Sequence, residues 1–262
     1  MTLLHVDDIG VRFGGVVALD GLSFTIQPDH ICALIGPNGA GKTTMFNVIS
    51  RLYLPTSGKV TFDGQNLLAM APHQIAAAGI ARTFQNLALV PGLSVVENVM
   101  IGAHTKARGG FIASMLRLPP VVPEEKRMRD EAMALLDRLG LSSYANRPCA
   151  GLPYGTLKRI EIARALATHP RLLMLDEPAA GLTHGEVDEL GELIRQLRVD
   201  FHLTVLLIEH HMSMVMAISD AVVVLDVGRK ICEGTPEVVR DDPKVIAAYL
   251  GTPAGDATGE GA

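Results

Sequence analysis

The sequence predicts an α/β fold built on a mostly parallel sheet, and three observations carry that expectation. Residues 31–35, 172–175, 205–208 and 221–225 are short, nearly continuous apolar runs, each stopped by a Gly or a charged residue. Runs of that length read as strands buried on both faces, the pattern of a parallel sheet covered by helices. Stretches of helical period lie between them, and strands alternating with helices argue for the α/β class. The 262 residues suffice for a large buried core, and 48% hydrophobic content at a net charge of −5 excludes a disordered chain.

The elements follow in order. In the first thirty residues Val11, Phe13, Val16, Ala18 and Leu19 are mixed with Gly14, Gly15 and Gly21, which predicts short antiparallel strands with turns. The first buried strand follows at 31–35. Residues 58–64, GKVTFDG, alternate in polarity and end on Asp63-Gly64, a hairpin signal. Segment 105–123 sets Gly109-Gly110 and Pro119-Pro120 around an apolar FIASMLRL. Met128, Ala132, Leu135, Leu136 and Leu139 recur at helical spacing, with Gly140 as a stop. Leu157, Ile160, Ile162, Ala163 and Leu166 form a second amphipathic run that ends before His169-Pro170. Asp226, Val227 and Gly228 separate two further strands, and residues 251–262, rich in Gly, Ala and Thr, are expected to fray.

Several classes drop out. No apolar run approaches the roughly 18–20 residues of a membrane-spanning helix. An isoelectric point near 6.0 does not fit a broad basic footprint, so no nucleic-acid partner is expected. Cys32, Cys149 and Cys232 are far apart and lack a CxxC pairing, which reads as reduced thiols rather than a disulfide framework or zinc site. The opening MTLLHVDDIG has neither a basic nor a long apolar region and is not expected to be a signal peptide.

Residues 36–43 read GPNGAGKT directly after the first apolar strand, which fits G-x-x-x-x-G-K-[ST]. Glycines let the backbone wrap closely around phosphates with its N–H groups turned inward. Lys42 can reach the β- and γ-phosphates, Thr43 can ligate Mg²⁺, and a helix starting near Gly41 adds a positive dipole end. Residues 172–178, LLMLDEP, bring Asp176 and Glu177 to the carboxyl end of a strand, where open α/β sheets bind ligands. Asp176 is placed to hold Mg²⁺, and Glu177 to orient or deprotonate an attacking water. Two acids at a strand end are common by themselves, and it is the pairing with the phosphate loop that points to a nucleotide-hydrolysing site.

Together these motifs resemble the ATP-binding subunit of an ABC transporter, over residues 4–250. The resemblance implies a P-loop NTPase core with an N-terminal antiparallel β-subdomain and an inserted helical subdomain. In that layout residues 1–251 form the ATPase domain, with 1–85 and 156–251 as core, 86–155 as helical subdomain with the signature loop, and 252–262 as a tail. It also implies that Pro37, Asn38, Gly39, Ala40, Gly41 and Thr44 join Gly36, Lys42 and Thr43 around ATP. Gln85 in ARTFQN matches the glutamine that senses Mg²⁺ and the attacking water. Phe13, 23 residues before Gly36 (36 minus 13), matches the aromatic that stacks on adenine, although a lone Phe in a strand is more often core. His210 in LLIEHHM matches the histidine that contacts the γ-phosphate. His211 stands in place of the family's Asp and reads as a surface residue.

The signature segment departs from the family's LSGGQ. Here residues 152–156 are LPYGT, and Pro153 offers neither hydroxyl nor N–H. The resemblance implies that this loop caps the γ-phosphate bound by a second subunit, with Gly155 and the following helix start remaining as donors. Thr183 stands where many members carry an aspartate.

The runs IGPNGAGKTTMFNVISRLYLPTSGKV, GIARTFQNLALVPGLSVVENVMIGAH and PKVIAAYLG are similar to the branched-chain amino acid importer group. That resemblance implies ATP-driven uptake of branched-chain or related amino acids, urea or amides. The partners would be membrane permeases, a second identical or different ATPase subunit and, indirectly, a periplasmic binding protein. The location would be the cytoplasmic membrane face. Lipopolysaccharide-exporter ATPases and soluble ATPases of iron–sulfur assembly share the core and stay open as alternatives. A DNA-repair ATPase would need a long coiled coil, yet only 109 residues separate Lys42 from Gly151 (151 minus 42). The apolar run at 86–99 is expected to line a groove for a permease helix, with part of it in the core.

Overall fold

The computed structural model describes residues 2–84, 87–103 and 121–250. The expected fraying of residues 251–262, most of segment 105–123 and Gln85 itself therefore lie outside the described residues. At the N-terminus β1 (Leu4–Phe13) and β2 (Val16–Ile26) pair antiparallel, and β4 (Ser57–Phe62) lies on the other side of β1. These strands run longer than the glycines suggested, because bulges in β1 absorb the irregular pattern without ending the pairing. The Asp63-Gly64 turn takes positive φ at both positions and returns the chain as β5 (Gln65–Asn66), which completes a four-stranded sheet.

The second sheet has the order β10-β9-β3-β8-β7-β6. Its members are β3 (Ile31–Ile35), β6 (Ile80–Arg82), β7 (Leu172–Asp176), β8 (Thr204–Ile208), β9 (Ala221–Asp226) and β10 (Arg229–Gly234). All neighbours are parallel except the β9–β10 hairpin, which turns at Val227-Gly228. The apolar runs are buried on both faces because alternate residues serve different cores. Leu173, Leu175, Val205 and Leu207 face the helices, whereas Leu172, Met174, Leu206 and Ile208 face the first sheet and α1 (Lys42–Ile49).

Short α2 (Gln74–Ala77) leads into β6, and α3 (Val95–Ala103) packs with α4 (Val121–Arg138) and α5 (Tyr154–Leu166). The helical period assigned to Met128, Ala132, Leu135, Leu136 and Leu139 is the buried stripe of this group. A boundary drawn between residues 155 and 156 falls inside α5, which is continuous there. Beyond β7 come α6 (His184–Phe201), α7 (Met212–Ile218), α8 (Pro236–Arg240) and α9 (Pro243–Leu250). Among the described residues no helix is long and apolar enough to cross a membrane. All three cysteines are free, and burial pushes the Cys32 thiol up to about 12, an inert group.

Candidate functional site

Strands β3, β8 and β7 are consecutive neighbours in parallel, with Leu34 paired to Ile208 and Ile208 to Asp176. Their carboxyl ends therefore lie side by side, carrying Gly36, the Glu209-His210 pair and the Asp176-Glu177 pair. Topology alone brings together residues far apart in sequence.

Gly36 opens the phosphate loop with φ 148°, and a Cβ there would lie 2.1 Å from the Leu225 carbonyl oxygen, so only glycine fits against β9. The loop is tied from outside, since the Gly228 N–H donates to the Ala40 carbonyl at 3.1 Å. Asn38 and Gly39 stay exposed at its tip, Pro37 is half-buried and Ala40 is buried. Helix α1 begins at Lys42 with no side-chain cap and no acidic residue in its first turn. Its first N–H groups and positive dipole end are left for an anion. Lys42 is buried, and its Nζ donates to the Gly36 and Pro37 carbonyls at 2.6 and 2.9 Å. Burial lowers its pKa, and the charges of Glu177 and Asp176 oppose that shift. Thr43 is exposed and Thr44 half-buried on the same turn.

Asp176 is buried at the end of β7 and pairs with the Arg82 guanidinium, Nη2 to Oδ2 at 2.7 Å. Arg82 also donates to Asn47 Oδ1 at 2.7 Å and to Ser50 Oγ at 3.3 Å, and it lies between the rings of Phe46 and Phe84. Glu177 holds φ 48°, unusual for a non-glycine residue, and its N–H donates to the Ile208 carbonyl at 2.9 Å. A strained conformation fixed by the neighbouring strand is a common mark of a functional position. His210 is exposed beyond β8, its ring 4.7 Å from that of His211.

The expectation that His211 is a plain surface residue is corrected. His211 is half-buried, and its Nδ1 lies 3.0 Å from Glu209 Oε2. Phe13 is 47% exposed rather than core, and meets the exposed Tyr53 edge to face at 5.2 Å. Phe13 ends β1 of the antiparallel sheet and Tyr53 lies in the turn after α1, and β2 of that sheet runs beside the loop: a Cβ on Gly41 would lie 2.6 Å from the Ala18 carbonyl oxygen.

Gly155 sits elsewhere. It lies in the first turn of α5, beside Leu182 and Glu186, in a 290 Å³ cavity that no phosphate-loop residue lines. Pro153 is the N-cap of α5, and its carbonyl accepts the Leu157 N–H at 3.0 Å. With no side-chain cap the first N–H groups of the helix have no side-chain partner. Thr183 caps α6: its N–H and hydroxyl both donate to Glu186 Oε2, at 2.9 and 2.8 Å, and these bonds hold the Glu186 pKa down.

The residues fit ATP and a divalent cation. Gly36 and Gly41 are held where a Cβ would strike the neighbouring backbone, and the Thr43 hydroxyl and the Asp176 carboxylate are hard oxygen donors of the kind Mg²⁺ takes. Sequence reasoning missed Arg82, Glu209 and Tyr53. Arg82 is the partner set 94 residues away that holds Asp176, and only the β6–β7 register, Arg82 opposite Met174, predicts that contact.

An apolar groove of about 350 Å³ lies between α2, β6 and α3, lined by Leu52, Pro72, Ile75, Phe84, Ile101 and Ala165 among others. None of residues 87–99 lines it. Within the run at 86–99, Val95, Val96 and Val99 belong to the helical core and Val90 is exposed, while this groove is made by the segments that flank them.

Comparison with known proteins identifies the family. The family model described as ABC transporter matches residues 19–180, and that of the branched-chain amino acid ATP-binding cassette transporter matches residues 229–255. The chain is 43% identical to the high-affinity branched-chain amino acid transport ATP-binding protein BraF of Pseudomonas aeruginosa, over 95% of this chain and 98% of that one. It is equally similar, with the same coverage, to LivG of Escherichia coli, a protein of the same description. Among solved structures, a nucleotide-free ATP-binding cassette from an ABC transporter superposes with TM-score 0.84 at 32% identity, covering 96% of this chain and 100% of that one. The ADP conformation of such a cassette superposes with the same score and identity, covering 96% and 99%.

Proposed function

The chain belongs to the ATP-binding subunits of ABC transporters, and from that premise we propose that its ATP hydrolysis energises uptake of branched-chain or related amino acids. Full-length identity to branched-chain amino acid proteins and the match at residues 229–255 support that solute class. Neither points to lipopolysaccharide export or to iron–sulfur assembly. The observation that carries the chemistry is the convergence of Lys42, Asp176, Glu177 and His210 at the ends of three adjacent parallel strands.

ATP lies with its phosphates in loop 36–41, where Gly36, Asn38, Gly39, Ala40 and Gly41 turn backbone N–H groups to them and Pro37, which has no N–H, shapes the turn. Thr44 adds a contact from the first turn of α1. Lys42 exchanges the Gly36 and Pro37 carbonyls for β- and γ-phosphate oxygens, so the ammonium is already desolvated and aimed before nucleotide arrives. Adenine stacks on Phe13, with Tyr53 bracing the ring. When bound, Mg²⁺ supplies neutralising charge to the β- and γ-oxygens, and Thr43, Gln85 and the Asp176 oxygen not taken by Arg82 would hold it. Glu177 accepts a proton from the attacking water as its oxygen bonds to the γ-phosphorus and the bond to ADP breaks. His210 donates to a γ-phosphate oxygen.

The cavity at Gly155 is closed off from its own chain's loop. A head-to-tail partner, a copy of this chain or a related ATPase, therefore supplies the facing signature loop. In this reading the 350 Å³ apolar groove takes a cytoplasmic helix of the permease, the subunit works at the cytoplasmic membrane face, and a periplasmic binding protein acts through the permeases. Residues 1–85 and the chain after α5 serve as core, and 86–155 with the rest of the continuous helix α5 as the helical subdomain.

Glu177→Gln tests the assignment. The variant is expected to bind ATP, fail to turn over, and elute as a dimer during size-exclusion chromatography with ATP. Turnover at the wild-type rate removes Glu177 from its role. Leucine uptake by vesicles carrying the permeases and this subunit tests the solute class.

A further inference from the structure

Glu209 is a buried carboxylate that the reading above does not use. It follows β8, is 1% exposed, and its described hydrogen-bond partners are all N–H groups. Oε1 accepts from the Ala179 N–H at 2.7 Å. Oε2 accepts from the His210 and His211 N–H groups at 3.0 and 3.3 Å and meets His211 Nδ1 at 3.0 Å. Ala179 lies two residues after Glu177, so one side chain joins the loop leaving β7 to the loop leaving β8. Bonds from N–H groups to a carboxylate are stronger than neutral ones, and shielding from water strengthens them further.

The ligand atoms of Glu209, His210 and His211 lie within 4.8 Å of one another, a spacing that a divalent cation could use. Both Glu209 oxygens, however, already accept N–H bonds, and the side chain is sealed from solvent. Its lone pairs are committed to the backbone.

We propose that Glu209 is a positioning residue for hydrolysis, fixing the His210 backbone against the Asp176-Glu177 loop so that both reach one γ-phosphate at a set spacing. The proposal rests on the roles given above to Glu177 and His210. Its chemistry is directional. A glutamine has nearly the same shape, but it sets an amide N–H where an oxygen now accepts, so one loop or the other loses its anchor. The two loops then shift relative to each other, and small misplacements of reacting groups cost large factors in rate.

The test uses the full-length protein with Glu209→Gln, and Glu209→Asp as a second variant that keeps the charge and shortens the reach. A lowering of kcat by about tenfold or more, with KM for ATP near wild type in a variant that stays folded, supports positioning, because a merely structural role would move kcat and ATP affinity together. A kcat within about twofold of wild type in a folded variant overturns it, as does a parallel fall in kcat and ATP affinity. Zn²⁺ inhibition of the wild type that Glu209→Gln abolishes would also overturn it, by assigning the cluster to a metal. If Glu177→Gln and His210→Ala lose turnover while Glu209→Gln keeps it, this inference alone fails. If those two variants keep turnover, the reading beneath it fails, and this one with it.

Discussion

Arg82 and Asp176 form an ion pair with side chains 9% and 4% exposed, so neither charge has water to fall back on. Removing one partner of such a pair strands the other. Arg82→Met is expected to cost roughly 3 kcal/mol, read as a lower denaturant midpoint with unchanged m, and a loss under about 1 kcal/mol would mean that the carboxylate finds another donor. Glu161, buried on α5, carries a pH dependence of its own. Burial raises its pKa above the ordinary 4.5, and Lys158 opposes this in part. The folded chain therefore binds this proton more tightly than the unfolded one. The group's contribution to stability falls as pH rises through the window above 4.5, and the loss is complete once the folded carboxyl has ionised. Glu161→Gln is expected to raise Tm at about pH 8 and to lose that gain as the acid wild type protonates. Parallel Tm curves for the two proteins would exclude Glu161 as the source. The contrast with the site residues is instructive. Lys42, Asp176 and Glu177 could be nominated because phosphate and water chemistry asks for those types at a helix start and a strand end, and His210 because of the family resemblance. Glu209 and Arg82 were not, since a buried polar residue declares its partner only through strand register.

Elements were legible where burial imposes a period, and less so where packing alone sets the outcome. The run at 172–175 became a strand because its alternate residues serve two cores, a division that near-continuous apolarity signals without saying which residue faces which. By contrast, the run at 86–99 divides between core and surface, because an apolar run looks the same whether it faces helices or a partner: Val95, Val96 and Val99 are buried while Val90 is exposed. Helix α3 shows what decided it. Gly102 on α3 lies so close to α5 that an added Cβ would stand 2.1 Å from the Arg164 carbonyl oxygen and 3.2 Å from the Ala167 Cβ. That close approach seats Val95, Val96 and Val99 in the helical core. Gly102→Ala must force the two helices apart, and overpacking of this kind costs about 1–3 kcal/mol. The higher intrinsic helix propensity of Ala would by itself stabilise the helix by about 1 kcal/mol, so the sign of the change discriminates. A lower Tm means that contact governs, and a higher Tm means that α3 and α5 are free to separate.

At the scale of the whole molecule, 48% hydrophobic content without a membrane-spanning helix among the described residues poses the question of where the apolar surface goes. Most of it fills the two-sided sheet. A residue of it stays outside, with Leu52, Phe84 and Ile101 at 56%, 44% and 40% exposure converging on one groove. A clustered apolar face marks an interaction site where scattered exposed side chains do not. The groove is continuous with the nucleotide site through Arg82, which lines it and holds Asp176 from the same guanidinium. A helix seated there would press on the group that positions the cation-binding carboxylate. Ile101→Glu separates docking from catalysis, because a charge at an exposed helix position leaves stability within about 0.5 kcal/mol. Its expected outcome is wild-type ATPase activity in the isolated subunit, with loss of permease co-purification and of leucine uptake. Val90→Glu, equally exposed but outside the groove, is the control and is expected to retain uptake. If uptake survives Ile101→Glu and fails with Val90→Glu, the permease docks on the 86–99 segment after all, and the route through Arg82 is not the coupling path.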